Sequence, residues 1–241
     1  MNVIPNRRTV FSPHGLGDSI VCNGICRTMA KDGAPLEWFT SQEAYPVVRQ
    51  MYSDLPNVHC WWISYPHEHI TRWAGNSPGA IHLGPTAPES DLFEATRRDL
   101  EFYRQAGLPF RNRWDAFALP DALLGPTPPP CRAILFHDDP DRGFNIDITK
   151  VKFSGRCYYR RVTPELPFWD WIPMLREAEE LHLIDSVFLR LADSLWAKGL
   201  LSARRLVFHA YPRDSVPPTL RGPWEVRSKP WESIPCPPAT L

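Results

Sequence analysis

The feature that most constrains this chain is the stretch from Ala178 to Leu195, where an apolar run and a helical pattern meet at two polar residues. Leu181-His182-Leu183-Ile184 reads as a short buried strand, and Asp185-Ser186 stands where a helix N-cap belongs. Val187, Leu191 and Leu195 follow at helical spacing, with Phe188 and Ala192 one position further round the same face. A strand that stops at Asp-Ser and turns into a helix leaves several backbone N–H groups unpaired at the strand's carboxyl end. With the positive end of the helix dipole, those amides form a ready anion site. The alternative is that Asp185 or Ser186 caps its own helix. Two more segments of the same strand-then-polar-turn form, far away in sequence, favour the ligand reading.

The first of these is Arg8-Thr-Val-Phe-Ser12, a strand that runs into Pro13-His-Gly-Leu-Gly-Asp-Ser19 and then a helix through about residue 31. Gly15 and Gly17 are expected to allow a tight turn and close backbone approach to a ligand. The turn lacks the Lys-Ser/Thr of a P-loop and the third glycine of the dinucleotide fingerprint. Asp18 sits at a helix start, where it is either a base facing a ligand or an N-cap. The second is Ala133-Ile-Leu-Phe-His137, a buried-type strand ending in Asp138-Asp-Pro-Asp-Arg-Gly143. Arg142 is the natural phosphate clamp there, with a surface salt bridge to Asp138 or Asp141 as its alternative. His137, His182 and His209 each occupy or end a buried strand, the usual place for a satisfied core histidine. His14 differs because it lies in the glycine turn.

Strand and helix alternate along the rest of the chain. Leu36–Thr40, Val58–Ser64, Ala80–Leu83 and Arg205–His209 read as strands. Glu43–Tyr52, Leu92–Ala106 and Phe168–Glu180 read as helices, with Pro46 tolerable only in a first turn and Gly107 as a stop. That alternation marks parallel α/β sheets. Leu124-Gly-Pro-Thr-Pro-Pro-Pro130 interrupts it and divides the chain into a domain of residues 1–124, a linker of residues 125–130 and a domain of residues 131–241. The proline-rich tail from Val216 is expected to wrap the surface or fray.

Composition narrows the partners. The formal net charge is zero, which recommends neither nucleic acid nor an acidic membrane. No apolar run reaches the roughly 18 residues of a membrane span, and Met1 to Arg8 has no hydrophobic signal core, so a cytoplasmic protein is expected. Six cysteines in 241 residues do not make a disulfide framework. Cys22 and Cys26 lie four apart on a helix, a spacing that suits buried thiols better than a zinc site lacking a second pair.

His14-Gly-Leu-Gly-Asp18 with Asn23-Gly24 and Arg27, Phe136-His-Asp-Asp-Pro-Asp-Arg142, and Glu179 to Phe188 together resemble small glycosyltransferase-like proteins of the GT-B fold. The glycine-Asp turn and the late Asp-Ser are similar to the lipopolysaccharide heptosyltransferases. The His-x-Asp-x-x-Arg pattern and Ser-Val-Phe are similar to the fucosyltransferases. The resemblance implies two small Rossmann-like domains facing a cleft, the first on the acceptor side and the second on the nucleotide-sugar side. It implies an inverting transfer, without metal or other cofactor, from a nucleotide-sugar donor to a glycan or other hydroxyl acceptor. Asp18 takes the role of base, with His14 beside it. Arg142 binds the donor diphosphate, and Asp185, Ser186, Phe188 and His137 lie around the nucleotide. Val-Phe-Leu-Arg follows Asp-Ser here, where the heptosyltransferases carry Gly-Pro-x-His. A binding protein of the same fold without turnover is the second reading. A metal-dependent hydrolase using His14, Asp18, His137, Asp138, His182 and Asp185 is the third.

Overall fold

The computed structural model describes residues 8–12, 14–63, 79–84, 98–126, 133–150, 158–163, 165–211 and 218–228. Residues 92–97 of the expected helix, residues 127–130 of the expected linker and the tail beyond 228 lie outside the described residues. The chain divides into two compact units, Met1–Leu124 and Gly125–Leu241.

The first unit carries β1 (Arg8–Ser12), α1 (Leu16–Val21), α2 (Asn23–Ala30), β2 (Leu36–Ser41), α3 (Tyr45–Met51), β3 (Val58–Ile63) and β4 (Ile81–His82). They are followed by α4 (Arg98–Gln105), α5 (Asn112–Asp115) and α6 (Asp121–Leu124). The described strands form a parallel sheet in the order β3-β2-β1-β4. Val10, Phe11 and Trp38 are fully buried, as befits strands covered on both faces of a parallel sheet. Pro46 sits in the first turn of α3, where its missing N–H costs nothing.

The helix expected after the glycine turn is broken at Cys22. Ile25 N–H bonds to Cys22 O rather than continuing the α ladder to Val21. The Val21 carbonyl so released accepts the Tyr103 hydroxyl of α4 at 2.9 Å. Gly24 then lets α2 meet α5, because a Cβ there would lie 2.1 Å from Asn112 O. Arg113 of α5 and Asp99 of α4 form an ion pair at 2.6 Å with both side chains buried. Cys22 and Cys26 are fully buried, and burial raises the Cys26 thiol well above its ordinary value.

The second unit contains β5 (Ala133–His137), β6 (Tyr158–Arg161), α7 (Ile172–Glu177), β7 (Glu180–Ile184), α8 (Val187–Ala197), β8 (Arg205–His209) and β9 (Glu225–Arg227). Their order is β6-β5-β7-β8-β9, all parallel. The helix expected over 168–180 is shorter. Phe168–Trp171 is a 3-10 turn, Pro173 fills the first turn of α7, and Ala178 is already extended. The tail does more than wrap: Glu225–Arg227 adds an edge strand beside β8. Asp193 of α8, fully buried, anchors it by accepting from Arg221 N–H, Gly222 N–H and Trp224 Nε1–H, each at 2.9 Å.

Candidate functional site

Each sheet reverses its winding at one place. In the first, β2 and β3 lie on one side of β1 and β4 on the other; in the second, β6 lies on one side of β5 and β7 on the other. At such a switch point, successive connections leave in opposite directions and open a crevice beyond the carboxyl ends of the strands. The polar turns stand there. His14 to Asp18 follows β1 and Leu83-Gly84 follows β4, while His137 to Arg142 follows β5 and Asp185-Ser186 follows β7.

At the first switch point, His14 and the end of β4 are bonded together. His14 Nε2–H donates to Leu83 O at 2.7 Å, and its ring lies against Phe102 with centroids 5.3 Å apart. Gly84 is held by the Gln105 side chain, whose Oε1 accepts from its N–H at 2.8 Å while Nε2 donates to its carbonyl at 2.7 Å. Glycine is required at 84: φ is +148°, and a Cβ would lie 2.3 Å from His14 Nε2. Gly15 has an ordinary extended backbone and open space where a Cβ would be, so the fold itself does not require glycine there. Gly17 lies within α1. Asp18 is not the N-cap. Gly15 occupies that position, and Asp18 stands in the first turn of α1, half-buried.

At the second switch point, His137 of β5 and Phe188 of α8 are in ring contact at 4.6 Å. Burial pushes the His137 imidazole down to about 4. Phe188 also packs against Phe168 at 5.2 Å and is itself buried. Ser186 occupies the N-cap position of α8 with an extended backbone, yet its side chain makes no capping bond and its Oγ is buried without a partner among the described residues. Asp185 turns instead to Arg190 at 3.2 Å. The N-cap residue of this eleven-residue helix therefore gives it no side-chain cap, and the expectation that Ser186 caps its own helix is corrected.

Arg142 is exposed on a 3-10 turn of residues 140–142. It pairs with Asp139, not with Asp138 or Asp141, and its guanidinium lies 5.5 Å from the Phe144 ring centroid. Three residues apart on a 3-10 turn, Asp139 and Arg142 lie one above the other. Asp138 is unavailable because its buried carboxylate accepts from Ile146 N–H and pairs with Arg161 at 3.0 Å. The Arg142 bond holds the Asp139 carboxyl below the usual range.

Sequence reasoning passed over a buried histidine chain one strand further along. His182 Nε2 meets Glu180 Oε2 at 3.2 Å, and His182 Nδ1 meets His209 Nε2 at 3.1 Å. His182 is thus the satisfied core histidine that its strand suggests. No metal cluster of three His, Cys, Asp or Glu side chains occurs among the described residues, so the hydrolase reading has no assembled ligand set there. No described helix is long and apolar enough to cross a membrane.

No protein-family model matches the sequence, and no curated protein does. Solved structures do match. TibC, an iron-containing dodecameric glycosyltransferase from enterotoxigenic E. coli H10407, aligns at a TM-score of 0.52 and 14% identity over 85% of this chain. TibC in complex with ADP-D-beta-D-heptose aligns at 0.53 and 13% identity over 85% of this chain. E. coli heptosyltransferase WaaC with ADP aligns at 0.50 and 10% identity over 95% of this chain and 93% of its own. The fold is that of the GT-B heptosyltransferases. At these identities the likeness concerns the fold alone, and the chain spans only 57% of the length of TibC. The resemblance to heptosyltransferases is thereby upheld in structure, and its fucosyltransferase part gains no support.

Proposed function

We propose that the protein is a glycosyltransferase that moves a sugar from a nucleotide-activated donor to a hydroxyl acceptor with inversion and without metal. The second unit is the donor side. Arg142, the uncapped amides after Ser186 and the dipole of α8 stabilise the leaving diphosphate, where charge develops most. Arg142 exchanges Asp139 for phosphate when the donor arrives; an exposed ion pair of this kind is worth at most about 1 kcal/mol and is readily given up. The first unit is the acceptor side, with Asp18 as base for the acceptor hydroxyl and His14 fixed beside the glycine turn. One observation carries the reading: polar turns that suit an anion and a base stand at the switch points of two parallel sheets of the heptosyltransferase fold.

The experiment is calorimetric titration with ADP and UDP alongside a nucleotide-release assay on nucleotide sugars. An arginine–phosphate bond contributes about 1.5–3 kcal/mol, so Arg142→Ala weakens nucleotide binding by roughly one to two powers of ten. Asp18→Asn leaves binding intact and lowers transfer by about 10²–10⁴. If neither variant changes any affinity or rate, both residues are structural and the reading fails. The second reading, a nucleotide- or sugar-binding protein without turnover, rests on Phe188: its ring is packed into the core where the heptosyltransferases carry Gly-Pro-x-His. Binding that survives without turnover of any donor would select it.

A further inference from the structure

The histidine chain of the second unit has a fixed polarity. Burial alone would raise the Glu180 carboxyl, but the His182 bond and the nearby Arg205 charge outweigh it, so the group stays ionised. An ionised carboxylate only accepts, so His182 must donate through Nε2 and accept through Nδ1. His209 must then donate through Nε2, which leaves its Nδ1 an acceptor. That Nδ1 is buried and has no hydrogen-bond partner among the described residues, on a residue only 4% exposed.

His209 is the last residue of β8, and its register partner on β9 is Arg227. Residues in register on neighbouring strands share a sheet face, so the two side chains stand next to each other. Arg227 spends one amino group on Glu225 Oε2 at 2.9 Å, while its Nε–H is buried and without a partner among the described residues. One orphaned acceptor and one orphaned donor therefore lie side by side at the carboxyl end of the sheet, each with a desolvation cost that only a ligand or water relieves. A group that answers both must donate one hydrogen bond and accept another through a single small atom. A hydroxyl does so; a phosphate oxygen or a carboxylate would leave His209 Nδ1 unanswered.

From this we infer that His209 Nδ1 and Arg227 Nε–H form a recognition pair for a sugar hydroxyl. The pair rests on the nucleotide-sugar reading only for the source of that hydroxyl, either the ribose of the nucleotide or the sugar it carries. Glu180 and His182 act as positioning residues that hold His209 in one tautomer.

The test is ¹⁵N NMR of the histidine side chains in the intact protein, with ligand affinities measured alongside. In the free protein, His209 Nε2 is expected to be protonated and Nδ1 bare, and the opposite tautomer would overturn the proposal. Titration with ADP, 2′-deoxy-ADP, 3′-deoxy-ADP and D-mannose is expected to shift the His209 Nδ1 resonance. If the ribose supplies the hydroxyl, one deoxy analogue binds about tenfold more weakly than ADP, and His209→Phe removes that difference. If the carried sugar supplies it, all three nucleotides bind alike and mannose moves the resonance. Failure of every nucleotide to bind refutes the glycosyltransferase reading, while the mannose arm still decides the hydroxyl pair. Should no ligand move His209 Nδ1, the two atoms hold an ordered water only and the proposal is wrong. Should His209→Phe not fold, Arg227→Met in the same titrations serves in its place, because the wild-type resonances by themselves decide whether a hydroxyl binds there.

Discussion

Replacing Asp193 by alanine should release the C-terminal strand while leaving the rest of the second sheet in place. Its Oδ1 accepts three N–H donors, from Arg221, Gly222 and Trp224, and these are what tie residues 221–224 to α8. A hydrogen bond to a charged group contributes about 1.5–3 kcal/mol, but these donors lie close enough to solvent for water to replace part of each bond. About 1 kcal/mol per donor, or about 3 kcal/mol in all, is the reasonable size of the effect. Local opening of the segment then becomes roughly a hundredfold more populated, at about 1.4 kcal/mol per power of ten. Tryptic cleavage after Arg221 and Arg227, followed by mass spectrometry at low protease, reads that population directly, because cleavage is slow relative to reclosing. Asp193→Asn keeps an acceptor oxygen and loses only the charge, so it should raise cleavage by about tenfold at most. Cleavage of Asp193→Ala at the wild-type rate would show that the edge strand is held by pairing with β8 alone, and the anchor argument would be wrong.

Three further outcomes follow from the same structure. Gly84→Ala must relieve a 2.3 Å approach to His14 at φ +148°, so it should cost at least about 2 kcal/mol, whereas Gly33→Ala at φ +76° in open space should cost about 1 kcal/mol; equal thermal midpoints would reject the steric account. Burial holds His209 down at about 3 and His137 at about 4, against about 6.5 in the unfolded chain. The unfolded chain therefore takes up protons that the folded one refuses. Stability is full above about pH 6.5 and is lost as pH falls toward those values, by about 2 kcal/mol per histidine at pH 5. Urea midpoints at pH 7.5 and 5.0 should differ accordingly, His137→Phe should shrink the difference, and a midpoint indifferent to pH would mean that these rings are not buried neutral.

The strands were the legible part of the sequence, for a plain reason. Ala133–His137 and Arg205–His209 are apolar runs buried on both faces, and no distant residue alters their state. Elements set by distant partners were not legible. The break at Cys22 depends on Tyr103, 82 positions from Val21, taking the Val21 carbonyl. The edge strand hidden in the proline-rich tail depends on a buried aspartate in α8 and on a free edge of β8. At the candidate site, the turns could be read because each follows a buried strand at a polar cluster. The partner of Arg142 could not, since several aspartates are equally near in sequence, and only the 3-10 turn and the demands of Ile146 and Arg161 select Asp139.

Parity along the strands divides the second unit's polar groups between two faces, and that division constrains any ligand that uses both sets. His137 is in register with Leu183 and meets Phe188, which puts it on the side covered by α8. Phe136, His182 and Val207 are in register on the other side, and His209 stacks diagonally from His182 there. A nucleotide with phosphates against the start of α8 and a hydroxyl on His209 therefore has to cross the carboxyl edge of β7, where Asp185 stands. A bare carboxylate at that crossing would repel the diphosphate. Arg190, one turn into α8, pairs with Asp185 at 3.2 Å and cancels the charge locally, leaving the amides after Ser186 as the dominant field at the strand end.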